Sequence, residues 1–113
     1  MSLFGTDGIR GVAGNPPLDS ETIRRIGAAL VQVLGLKNEP PCFLIGRDTR
    51  QSGVWIEREL AYGARSQGAK VASAGIVPTP AIAYLTPQMG YTAGIVISAS
   101  HNSFEDNGIK VFS

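Results

Sequence analysis

Ser100, His101 and Asn102 are adjacent in the sequence, and Asp106 and Lys110 follow within the next eight residues. This groups a hydroxyl nucleophile with an imidazole that changes charge near neutral pH and a cation that can neutralise developing negative charge. Ser, Asn and Asp are equally the ordinary residues of turns, where they hydrogen-bond locally, so this segment taken alone reads also as a structural turn. A protease-type serine is disfavoured. A base next door in sequence does not aim back at its neighbour's oxygen, and the Gly-x-Ser-x-Gly elbow is absent.

Two further segments set polar side chains among glycines. Gly5-Thr6-Asp7-Gly8-Ile9-Arg10-Gly11 reads as a loop whose backbone N–H groups, Thr6 hydroxyl and Arg10 guanidinium could approach a phosphate closely. Gly46-Arg47-Asp48-Thr49-Arg50 follows an apolar run and offers Arg47 as a second phosphate ligand. Its plainer reading is a surface ion pair between Arg47 and Asp48. Neither segment is a Walker A loop or a Gly-x-Gly-x-x-Gly fingerprint, which disfavours a nucleotide ligand. Arg24 and Arg25 read as a solvated helix face, Trp55 as a core aromatic and Cys42 as a small buried hydrophobe.

The elements that must position these groups are legible from periodicity. Ile23, Ile26, Leu30 and Leu34 recur at helical spacing between Pro17 and Gly35, with Asp19 or Ser20 as the cap. Cys42-Phe43-Leu44-Ile45 predicts a strand covered on both faces. A helix from near Ser52 carries Ile56, Leu60 and Ala64 inward, and Lys70–Ile76 is the next strand. Thr79-Pro80 opens a helix ending near Pro87, with Ile82, Ala83 and Leu85 as its apolar face. Thr92–Ser98 and Gly108–Phe112 are the last two strands. Alternating strands and helices imply a three-layer α/β/α sandwich on a mostly parallel sheet, here of four strands. About nine residues separate Ser98 from Gly108, too few for a helical crossover, so the last strand should return antiparallel. The Ser100 loop then lies at the carboxyl end of a strand, where open α/β sheets bind ligands.

Composition narrows the partners. The 113 residues carry ten Lys and Arg against nine Asp and Glu, a net charge of +1, which gives no field for nucleic acid or an anionic membrane. The one cysteine forms no internal disulfide, no Cys/His zinc spacing occurs, and no apolar run nears the ~20 residues of a spanning helix. With no signal peptide at its start, the chain is expected to be cytoplasmic. Fourteen Gly and seven Pro, scattered between apolar runs, point to many shaped loops.

Taken together, FGTDGIRG at 4–11, GRDTR at 46–50, VPTPA at 77–81 and GIVISASHN at 94–102 followed by DNGIK at 106–110 resemble, in order and spacing, the first domain of the α-D-phosphohexomutases. The resemblance spans essentially all of residues 1–113, and its first and last motifs look most like the bacterial phosphoglucosamine mutases. It implies a phosphoserine at Ser100, with Ser98 on the strand side of the motif. The phosphoserine gives its phosphoryl group to a hexosamine monophosphate and regains one from the 1,6-bisphosphate intermediate. It further implies Lys110 as general acid or base, Arg10 beside the phosphoserine, His101 and Asn102 orienting the loop, and Mg²⁺ on the phosphorylated Ser100 with its other ligands from a domain not present here. Two departures stand out. Ser103 replaces the family's usual proline, and the metal loop, sugar-reading loop and terminal phosphate-binding domain have no counterpart in this chain. The expectation is an excised first domain, inactive alone and prone to self-association through surface that other domains would cover. The alternatives are another phosphohexomutase, acting on mannose or glucose phosphates, and a non-catalytic phosphosugar-binding module.

Overall fold

The computed structural model describes residues 8–35, 39–100 and 102–112. Its elements run β1 (Ile9–Val12), α1 (Ser20–Leu34), β2 (Cys42–Arg47), α2 (Ser52–Ser66), β3 (Lys70–Ile76), α3 (Thr79–Gln88), β4 (Ala93–Ile97) and β5 (Asp106–Phe112). The sheet has five strands in the order β1-β5-β4-β2-β3, not the four expected. The additional strand is β1, which pairs antiparallel with the start of β5 through Ile9↔Ile109 to Val12↔Asp106. Nothing in its four residues requires a strand; the partner supplies the ladder, so the glycine-rich segment becomes a sheet edge. The antiparallel return of the last strand holds, with Val96 opposite Lys110 and Ile97 opposite Ile109, while β2 lies parallel to both β3 and β4.

Alternation along the strands separates two apolar layers. Phe43, Ile45, Ile95, Ile97 and Ile109 face α1 and α2 and pack with Leu18, Ile23, Leu30, Ile56 and Leu60, all essentially inaccessible to solvent. Leu44 and Val96 face α3 and meet Ile82, a far smaller buried set. Helices on both faces give the three-layer sandwich. Asp19, not Ser20, caps α1: its carboxylate accepts from the Thr22 N–H. The two long helices touch backbone to backbone, since a Cβ at Gly27 or Gly63 would strike the carbonyls of Leu60 and Arg24 respectively. Arg24 is exposed as expected, yet it pairs with the buried Glu59 and lies over the Tyr62 ring. On α3, Ala83 is exposed and Thr86 is buried in its place, its hydroxyl donating to the Ile82 carbonyl. That bond lets a polar residue replace the expected alanine on the inner face.

Candidate phosphoryl-transfer site

Because β2 and β4 are parallel, their carboxyl ends share one edge of the sheet, and β5 starts from that edge. The edge gathers Asp48 and Arg50 after β2, Ser98 and Ser100 after β4, and Asp106 and Asn107 opening β5. The two serines differ sharply. Ser98 is engaged at its side chain: its Oγ donates to Asp48 Oδ2 at 2.8 Å and accepts the Ser100 N–H at 3.0 Å. Ser100 is exposed and adopts φ 54°, the left-handed region that a residue with a Cβ seldom occupies. The peptide groups around it are held, and its side chain faces solvent.

Register places the two expected cations on a common face. Arg10 lies opposite Gly108 on β5, and the next residue on that side of β5 is Lys110, opposite Val96 of the α3 layer. Ser98 completes the row, its N–H donating to the Gly108 carbonyl. A glycine is required at 108, because a Cβ there would come within 2.8 Å of the Ile9 and Ser98 carbonyls and 3.1 Å of Arg10 Cγ. Among the described residues no carboxylate pairs with Arg10 or Lys110. The Lys110 ammonium lies 5.6 Å from the centre of the Phe112 ring, so it leans inward along β5, away from the Ser100 edge. Reaching a group on Ser100 requires a change of side-chain rotamer.

Arg47 is placed elsewhere. Its side chain is on the α2 face, under Gly53, and its guanidinium donates to Glu57 at 3.0 Å. It is therefore spent on a largely buried ion pair and not on Asp48. Asn102 stays with the loop: its N–H donates to the Ala99 carbonyl and its side-chain amide reaches Asp106 at 3.4 Å. Thr6 and His101 lie outside the described residues.

Two residues that sequence reasoning did not single out organise this edge. Arg50 is 6% exposed and donates to Asp48 Oδ2 from Nε, to the Ser100 carbonyl from Nη2, and to the Asn102 and Ser103 carbonyls from Nη1. Asn107 is wholly buried, donates to Ser52 Oγ and accepts the Gly108 N–H, tying the start of β5 to the start of α2. Both sit inside motifs already noted, GRDTR and DNGIK. Their burial is a tertiary fact with no local signal. Burial pushes the Asp48 carboxyl upward, but hydrogen bonds from the Arg50 side chain and backbone and from Ser98, with the Arg50 charge, outweigh it and leave Asp48 below its ordinary value.

With Asp48 so occupied, and no group of three His, Cys, Asp or Glu among the described residues placed to hold a metal, these residues alone do not build a magnesium site. A metal on a phosphorylated Ser100 would take its remaining ligands from outside them.

An α/β/α domain with such an edge has known counterparts. The profile of the family described as "Phosphoglucomutase/phosphomannomutase, alpha/beta/alpha domain I" matches residues 1–113, and the chain belongs to this family. Within it, the chain is similar to phosphoglucosamine mutases: 58% identical over 110 residues to that of Koribacter versatilis, covering 97% of this chain and 24% of that one, and 54% identical over 110 residues to that of Solibacter usitatus, covering 97% and 25%. A solved structure from Thermus thermophilus, assigned as a phosphomannomutase, superposes with a TM-score of 0.79 at 30% identity, over 98% of this chain and 26% of its own. The chain thus spans about a quarter of the length of the relatives it matches.

Proposed function

We propose that this domain carries the transferable phosphoryl group of a cytoplasmic phosphoglucosamine mutase on Ser100. The observation that carries the reading is the contrast between the serines: Ser98 is committed to Asp48 and the loop backbone, whereas Ser100 presents an exposed hydroxyl on a fixed backbone. The names of the relatives at 54% and 58% identity favour glucosamine phosphates over mannose or glucose phosphates.

In the proposed reaction the bond from phosphorus to the Ser100 oxygen breaks as a bond forms to a hydroxyl of glucosamine 1- or 6-phosphate. The sugar hydroxyl gives up its proton to a base, and the serine oxygen takes one up. The resulting 1,6-bisphosphate returns its other phosphate to Ser100 by the reverse exchange. Lys110, after swinging off Phe112 toward the Ser100 edge, is the proposed proton donor and acceptor. Arg10, from the same face, neutralises charge on the phosphoryl oxygens, and preorganised positive groups of this kind are the main lever on phosphoryl transfer. Asn102 and His101 orient the loop, and Thr6 supplies a further phosphate contact. The chain spans about a quarter of the relatives it matches, so the activity is proposed for the longer enzyme and not for the domain alone. In that enzyme, Ser100→Ala should abolish interconversion of glucosamine 1- and 6-phosphate while leaving the circular dichroism spectrum and melting temperature unchanged. Near-normal turnover would remove Ser100 from the reaction.

A further inference from the structure

Arg50 has no part in the chemistry above, yet it is the most completely used side chain at the site edge. A buried guanidinium takes five N–H donors out of water and must satisfy them. Here a single carboxylate, Asp48, supplies the counter-charge, and the other acceptors are backbone carbonyls of one loop: Ser100 at 2.6 Å, Asn102 at 3.0 Å, Ser103 at 2.8 Å and, more weakly, Asp106 at 3.4 Å. The bonds close a ring. Arg50 holds the Ser100 carbonyl, the Ser100 N–H donates to Ser98 Oγ, Ser98 Oγ donates to Asp48 Oδ2, and the same oxygen accepts from Arg50 Nε. The peptide groups on both sides of Ser100 are thereby fixed, and the residue between them is the one non-glycine among the described residues at positive φ. A strained backbone persists only where its surroundings over-determine it, and this ring does so.

We propose that Arg50 is the positioning residue of phosphoryl transfer: through the ring with Asp48 and Ser98 it holds Ser100 in the left-handed conformation that aims its oxygen off the sheet edge. The inference rests on Ser100 being the phosphoryl carrier. Arginine is required because one planar fork must serve a carboxylate on one side and loop carbonyls on the other, a set of directions that a lysine ammonium cannot reproduce. The Arg50 guanidinium is committed to Asp48 and to loop carbonyls, so its loss should alter how fast Ser100 gives up its phosphate and not how well the sugar phosphate binds.

The test uses the full-length enzyme carrying phosphate on Ser100, purified as folded protein, and follows loss of that phosphate to glucosamine 1-phosphate in a single turnover. Arg50→Lys should transfer about 100-fold more slowly, the scale of a reacting group displaced by about an ångström, with KM for the sugar phosphate unchanged. Asp48→Asn keeps the Arg50 donors but removes the charge that aims them, and should slow the same step less. Leu30→Ala is the control. It lies on the buried face of α1, away from the loop, and should lower the melting temperature while the rate per phosphorylated molecule stays at the parent value; a role for Arg50 in stability alone would make Arg50→Lys behave the same way. Unchanged transfer in whichever of Arg50→Lys and Asp48→Asn folds overturns the proposal. Ser100→Ala run in parallel separates the two levels: if it retains turnover, the reading of Ser100 has failed, whereas if it is inactive and Arg50→Lys is not slowed, only the role of Arg50 has.

Discussion

The face of the sheet under α1 and α2 and the face under α3 are filled in different ways. The first is closed by two long helices over a continuous layer of Ile, Leu and Phe, and Arg47, on this face beside the site, is neutralised by Glu57. The second is covered by one short helix over Leu44 and Val96, and among the described residues the row Arg10, Gly108 and Ser98, with Lys110 beside it, has no helix packed over it. The buried apolar layer is concentrated on one face, and the polar side chains proposed to meet a ligand, Arg10 and Lys110, lie on the other. The same strands serve both, because successive residues point to opposite sides.

Substitutions on the two faces should therefore separate catalysis from folding. The largest separation is expected for Lys110→Met in the full-length enzyme. As the proposed proton-transfer group its loss should lower kcat by about 10² to 10⁴-fold. Its contact with the Phe112 ring is worth only about 0.5–1 kcal/mol, so the denaturation midpoint should hardly move. A fall in stability that accounts for the whole loss of activity would erase the distinction between the faces. Leu30→Ala, on the closed face, is the mirror image: about 2–5 kcal/mol of stability lost in urea titration, with turnover per folded molecule retained.

How much of this was legible in the sequence follows the same division. The closed face is legible through Ile23, Ile26 and Leu30 and through Phe43 and Ile45, because apolar patterning reports a buried face directly. The motifs containing Ser100 and Lys110 are legible as motifs, the roles of both residues being the proposal above, and the short span before Gly108 correctly requires an antiparallel return. β1 reads as a loop in the sequence because its four residues become a strand only through pairing with β5. Residue type points Ala83 inward because a buried threonine bonded to its own helix looks polar in sequence. Arg47 and Arg50 stand three residues apart in one motif, and residue type alone cannot tell which is spent on Glu57 and which on the serine loop. Only the fold brings Arg50 under residues some fifty positions away.

The smallest expected effect probes the polar edge through pH. Asp48 titrates below its ordinary value of 3.8 in the folded protein, so the stability it contributes is fully present above that value and is lost as the pH falls through 3.8 toward the lowered folded-state value. Unfolding midpoints followed from about pH 6 downward should fall across that window in the parent and fall less in Asp48→Asn. Parallel curves would mean that Asp48 is not held by Arg50 and Ser98 in solution.

The central claim is that Ser100, and not Ser98, carries the phosphate. It is tested most directly by incubating the full-length enzyme with glucosamine 1,6-bisphosphate and locating the phosphate by fragmentation mass spectrometry of the peptide spanning 94–110. The account predicts phosphate on Ser100 that is discharged when glucosamine 1-phosphate is added. Phosphate found on Ser98, or none on this peptide in an enzyme that turns over, would contradict it.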